Sequence, residues 1–158
     1  MKKLVDTNVL VYRFDPRYPA RQRVADELLR AGAQTGELVL PHQAIIEFVA
    51  AVRRPRVDLD GQGLLDERDA ALEAESLLDQ FPVIYPNQAQ LRTALRGMAL
   101  YRLSWFDAHL WACAECNGLG EILSEDFEHG RRYGAVRVSD PFLVAADQVH
   151  ELPPLYAS

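Results

Sequence analysis

The chain has 158 residues and is 49% hydrophobic, which suits one compact domain with a core that needs no disulfide or metal staple. Two cysteines are too few for a secreted disulfide framework, and there is neither a signal peptide nor an apolar run near the ~18 residues of a membrane span; a soluble, cytoplasmic protein with no membrane partner is expected. A formal net charge of −6 excludes a uniformly basic, nucleic-acid-coating surface.

The first element, KKLVD, and a second, ELVLP, are short and apolar throughout, the pattern of strands covered on both faces of a parallel sheet. Between them ARQRVADELLRAGAQTG places Val24, Ala25, Leu28 and Leu29 on one helical stripe that ends at glycine. After Pro41, QAIIEFVAAVRRP reads as a helix with Ile45, Ile46, Val49 and Val52 inward and a stop before Pro55. RVDLDGQGLLD is a loop, ERDAALEAESLLDQF a helix and PVIYP a short strand. Asn87 and Ser104 are N-caps for two further helices, NQAQLRTALRGMALYRL and SWFDAHLWACAECNG, the second stopping at Asn117-Gly118. LGEILS is a strand, EDFEHGRRYG a loop or short helix, and AVRVSDPF the last strand. The residues from 143 to 158, with Pro153 and Pro154, read as a C-terminal tail to a domain spanning 1–142.

Strands alternating with helices imply an α/β sandwich whose function gathers outside the carboxyl ends of the strands. Asp6 stands at one such end and Ser124-Glu125-Asp126 at another. Glu47 and Asp107 lie on helices among bulky apolar residues, where a carboxylate is costly to bury without positive compensation. Two of them have a plain explanation alone: Asp6 can cap the segment that follows, with Thr7 and Asn8 as turn residues, and Asp107 sits in the first turn of its helix, where the dipole favours its charge. Together at one sheet edge, the four would repel and resist ionisation, a penalty that a hard divalent cation reverses. Mg²⁺ or Mn²⁺ held this way can activate water against a phosphodiester.

The ordered set LVDTNVL, VLPHQAIIEFVAAVRRP, LSWFDAHLWACAE and ILSEDFEHG…YGAVRVSDPF resembles the PIN-domain family, in particular its small VapC-type ribonuclease toxins, over residues 2–142. The resemblance implies a three-layer α/β/α sandwich with a mainly parallel sheet in strand order 3-2-1-4-5. It implies that Asp6, Asp107 and Asp126 bind Mg²⁺ or Mn²⁺, with Glu47 acting through water or in proton transfer, and that Asn8, Thr7 and Ser124 support the pocket. The implied activity is endonucleolytic RNA cleavage by a metal-activated water, and the implied partners are RNA, a cognate antitoxin and a second copy of the chain. Glu125, beside Asp126, has no counterpart role.

Grouped arginines answer the charge objection, since a local basic rim can grip phosphates on an acidic protein; Arg53, Arg54, Arg131 and Arg132 are the candidates for RNA contact, and a solvated helix surface is their plainer role. Cys113 and Cys116 have CxxC spacing but lie late in a helix without further ligands, so packing is expected. Asp58, Asp60, Gly61 and Glu67 echo a calcium loop whose first ligand position holds Arg56. Trp105, Phe106 and Trp111 are expected in the core or a dimer contact rather than as a base-stacking platform. Two other readings remain at this point. One is a catalytically silent PIN-fold module that binds RNA or protein. The other is a phosphatase-like or response-regulator-like protein, for which the only lysines are Lys2 and Lys3.

Overall fold

The computed structural model describes residues 1–143; the tail expected from 143 onward lies, beyond that residue, outside them. The chain runs β1 (Lys3–Val5), α1 (Thr7–Tyr12), α2 (Pro19–Thr35), β2 (Leu38–Pro41), α3 (His42–Arg53), α4 (Glu67–Gln80), β3 (Val83–Ile84), α5 (Gln88–Tyr101), α6 (Trp105–Cys116), β4 (Glu121–Leu123), β5 (Arg132–Tyr133) and β6 (Val136–Ser139). The sheet order is β3-β2-β1-β4-β6-β5. All neighbours are parallel except β5, which pairs antiparallel with β6. The five strands expected from the sequence thus stand in the order 3-2-1-4-5. The sixth, β5, adds an outer edge within the segment read as a loop or short helix.

Unbroken apolar strands follow from cover on both faces. Val5, Leu38, Leu40 and Leu123 point into one core, shared with α1 to α4. Leu4, Val39 and Ile122, their neighbours in sequence, point into the other, shared with α5 and α6. Alternation along each strand feeds one residue to each layer, so both sets must be hydrophobic. The result is a three-layer α/β/α sandwich.

Helix boundaries follow local chemistry. Asp66, Asn87 and Ser104 cap α4, α5 and α6 by accepting from the backbone N–H of Asp69, Gln90 and Asp107. The helix α2 starts on Pro19 and ends at Gly36, whose φ of 73° is the left-handed cap that glycine takes without strain. The inward assignment on α3 holds for Val52, which is buried, and for Ile45 and Val49, which pack partly buried against the core, and is corrected at Ile46. The buried stripe is Ala44, Phe48 and Val52, one residue per turn, and Ile46, two positions off that stripe, is 56% exposed.

The chain crosses from β1 outward to β2 and β3, then returns over the opposite face to lay β4 against β1. Order reverses between β1 and β4, and a crevice opens beyond their carboxyl ends.

Candidate active site

Asp6 follows β1 directly and sits in that crevice. It caps α1, accepting from the Thr7 N–H at 2.7 Å, and its other carboxylate oxygen accepts from Ser124 Oγ at 2.6 Å. The same Ser124 oxygen accepts the Asp126 N–H at 3.1 Å, so one hydroxyl ties the ends of β1 and β4 together. Asp6 is therefore a helix cap that also lines the cleft, so its plain role does not keep it out of the crevice. Burial pushes its carboxyl up to about 7, against the pull of the Ser124 and Thr7 hydrogen bonds, with the charges of Asp126 and Glu47 adding to the rise.

Glu47 comes from α3. Its carboxylate accepts from Thr7 Oγ1 at 2.9 Å and from Gln43 Nε2 at 2.8 Å; the latter nitrogen also donates to the Phe106 carbonyl at 3.2 Å. Asp107 comes from the first turn of α6, where burial and then the Glu47 charge raise its pKa, opposed by Ser104. Asp126 stands exposed at the rim. Partial desolvation in the cleft, then the charges of Asp107, Glu125 and Glu47, push its carboxyl up to about 6 despite the nearby Asn8 amide.

Asp6, Thr7, Gln43, Glu47, Arg54, Ser104, Phe106, Asp107 and Asp126 line a single cleft of about 510 Å³. All four acids expected to act together therefore meet, from four separate elements. Among the described residues, no three His, Cys, Asp or Glu side chains stand close enough together to hold a metal ion as they are. Mg²⁺ does not require one, because it keeps several waters and takes one or two carboxylates directly. The donor set fits such an ion in two respects. The ligands are hard oxygens that burial and their mutual repulsion hold back from ionising until a positive charge arrives, and the Asn8 side-chain oxygen is buried beside them without a hydrogen-bond donor, while its NH2 group faces Asp126.

Of the arginines, Arg54 lines the cleft. Arg53 instead reaches Glu67 at 3.9 Å, Arg131 pairs with Glu128 at 3.2 Å and lies over the Tyr133 ring, and Arg132 is exposed on the β5 edge. Arg56 lines the side of the site next to Asn8 and Arg54. Two participants escaped the sequence reading. Gln43 lies one turn before Glu47, a spacing that places both on one helix face. Phe106, expected in the core or a dimer contact, is 64% exposed between the acid cleft and an adjoining apolar hollow of about 300 Å³ that Ile46 and Trp105 also line.

The other motifs have ordinary occupations. Cys113 is buried, its thiol pushed up to about 12 by desolvation and then by Cys116, which is exposed. The calcium-like loop closes on itself through the Arg56–Gln62 bridge, and Asp58 pairs with Arg17 at 2.7 Å. Trp111 is core, its Nε1 donating to the Tyr133 carbonyl at 2.8 Å. His109 lies edge-on to Trp105 at 5.4 Å.

Fold and cleft define an α/β/α protein with an acidic pocket at the switch point of a mainly parallel sheet. The model of the PIN domain family matches residues 3–136, and the chain belongs to that family. Among known structures, the chain is similar to a toxin–antitoxin complex from Klebsiella pneumoniae, with a TM-score of 0.64, 18% identity and coverage of 89% of this chain and 98% of the other. FitAcB from Neisseria gonorrhoeae superposes with a TM-score of 0.57 at 18% identity, with the same coverages. At such identities the likeness is one of fold. No curated protein matches the sequence.

Proposed function

We propose that this protein is a Mg²⁺- or Mn²⁺-dependent endoribonuclease, the toxin of a type II toxin–antitoxin pair, with its nuclease domain in residues 1–142. The observation that carries the reading is the meeting of Asp6, Glu47, Asp107 and Asp126 in one cleft, with the Asp6 carboxyl held near 7. The toxin–antitoxin complex among its structural neighbours supports the biological role.

Asp6, Asp107 and Asp126 would hold the ion, which when bound supplies an acidified water and charge neutralisation at the phosphodiester. Glu47 would take the proton of the attacking water or orient that water, a role supported by the hydrogen bonds from Thr7 and Gln43 that fix its carboxylate. Ser124 locks Asp6 against the Asp126 backbone, and Asn8 offers its amide beside them. Arg54 is the arginine placed to meet a phosphate of the bound strand. A cleft this small suits single-stranded or looped RNA better than a rigid duplex. In this reading the protein works in the cytoplasm; no helix among the described residues is long and apolar enough to cross a membrane. Its partners are an antitoxin that covers the cleft with a basic side chain, and a second copy.

The test is inducible expression of wild type and Asp107→Asn, followed by mapping of new RNA 5′ ends, with purified protein assayed in Mg²⁺ and Mn²⁺. Ends specific to wild type and dependent on the cation are expected. Equal cleavage by wild type and Asp6→Asn would sink the metal-site reading. The silent-module reading is separated by calorimetry, since it needs no Mn²⁺ binding that depends on Asp6 and Asp107.

A further inference from the structure

The turn Ser124-Glu125-Asp126 sends three side chains in different directions. Ser124 reaches Asp6, and Asp126 reaches the cleft. Glu125, between them, turns inward beneath α1 and α2, its side chain 1% exposed. One of its oxygens accepts from the Tyr12 hydroxyl at 2.6 Å, and the other lies 3.6 Å from Arg21 Nε. Tyr12 is fully buried, held edge-on by Phe142 at 4.9 Å and Tyr18 at 6.0 Å. Arg21 is itself buried, with its guanidinium 5.8 Å from the Tyr12 ring centroid. Desolvation raises the Glu125 pKa, and Tyr12 and Arg21 oppose that rise.

A buried ion pair of this kind does not gain stability over an apolar filling of the same volume, because desolvation offsets the attraction. What it does supply is direction. Asp126 is exposed at the rim, where the Asn8 amide is the one attractive group from a distant segment that acts on its carboxylate and the other groups are acids that repel it, so its position depends largely on the backbone on either side. Ser124 Oγ fixes that backbone from one side by accepting the Asp126 N–H. Pinning the residue between them inward leaves Asp126 the outward path, towards Asp107 and Glu47.

We propose that Tyr12, Glu125 and Arg21 form a buried clamp that positions Asp126 in the acid cleft. Glu125 is then a positioning residue, which rests on the reading of the cleft as a divalent-cation site. Residues that orient metal ligands from outside contribute about 10–100-fold in affinity, and the clamp acts one residue removed, at the lower end.

The experiment measures Mn²⁺ binding by calorimetry in wild type, Tyr12→Phe and Glu125→Gln, together with hydrogen exchange at the Asp126 amide without metal. Leu77→Ala, on the buried face of α4, is the control for stability lost elsewhere. The expected result is about tenfold weaker Mn²⁺ binding and faster Asp126 exchange in Tyr12→Phe and Glu125→Gln, with both unchanged in Leu77→Ala. Tyr12→Phe alone serves if Glu125→Gln fails to fold. Wild-type Mn²⁺ affinity and exchange in Tyr12→Phe would overturn the clamp while leaving the cation site standing. Absence of Asp6-dependent Mn²⁺ binding in wild type would overturn both.

Discussion

Replacing Asp6 by Asn in metal-free protein exposes what the cleft costs the fold. In the native state the Asp6 carboxyl titrates near 7, against 3.8 for a free side chain. At ~1.36 kcal/mol per pH unit of difference, its ionisation opposes folding by at most about 4 kcal/mol at neutral pH. An acid raised on folding binds its proton more tightly in the native state. Its favourable contribution is therefore complete below about pH 4, declines as the pH climbs, and is gone above about 7. Asn keeps an acceptor for the Thr7 N–H and offers its amide nitrogen to Ser124 Oγ, which has a second lone pair beyond the one used by the Asp126 N–H. Urea unfolding in EDTA, followed by tryptophan fluorescence, should find the two proteins equal near pH 4. The Asp6→Asn variant should then gain up to ~1.4 kcal/mol per pH unit over wild type, to a plateau of about 2–4 kcal/mol above pH 7. Millimolar Mn²⁺ should close much of that gap by stabilising the wild type alone. A stability difference that does not change between pH 4 and 8 would refute the account of a strained, buried carboxylate.

Thr7→Val removes the hydroxyl that holds Glu47; a hydrogen bond to a charged group contributes ~1.5–3 kcal/mol, so kcat/KM for RNA cleavage should fall at least about tenfold, and Thr7→Ser should restore it. Gly97→Ala would set a methyl 2.4 Å from the Trp111 ring, which is held by its bond to the Tyr133 carbonyl. Overpacking of ~1–3 kcal/mol should outweigh the helix-propensity gain of up to ~1 kcal/mol, and chemical denaturation should show net destabilisation. Native protein at pH 8 should take up one equivalent of a thiol reagent, at exposed Cys116, and a second only on unfolding, because Cys113 is buried with its thiol pushed up to about 12.

Periodicity and caps made the layers legible. Ser104, Asn87 and the apolar strands are local signals, and each stands where its chemistry requires. That the four acids share one cleft could be anticipated from two different signals, Glu47 and Asp107 as expensive residues in apolar neighbourhoods and Asp6 and Asp126 as acids at strand ends. What a linear reading could not reach was direction. Ile46 looks like core by composition and faces solvent, because a helix whose buried stripe is narrow leaves its other apolar residues outside; Phe106, in the first turn of α6 ahead of that helix's buried residues, is exposed at the mouth of the cleft. Glu125 and Asp126 are adjacent acids of one sign, yet one is pulled into the protein by Tyr12 and Arg21 from distant helices. The two-residue strand β5 has almost no periodicity to read and owes its place to β6 beside it.

The hydroxyl of Ser124 joins residues 118 positions apart. During synthesis Asp6 therefore emerges long before the residue that will hold it. Until β4 has been made and laid against β1, the nascent chain carries two or three of the acids but not the enclosure that unites them. Such non-local closure is also slow to form. A cleft wired in this order stays incomplete while most of the domain is still being translated, and it closes only once the last of the four acids has left the ribosome.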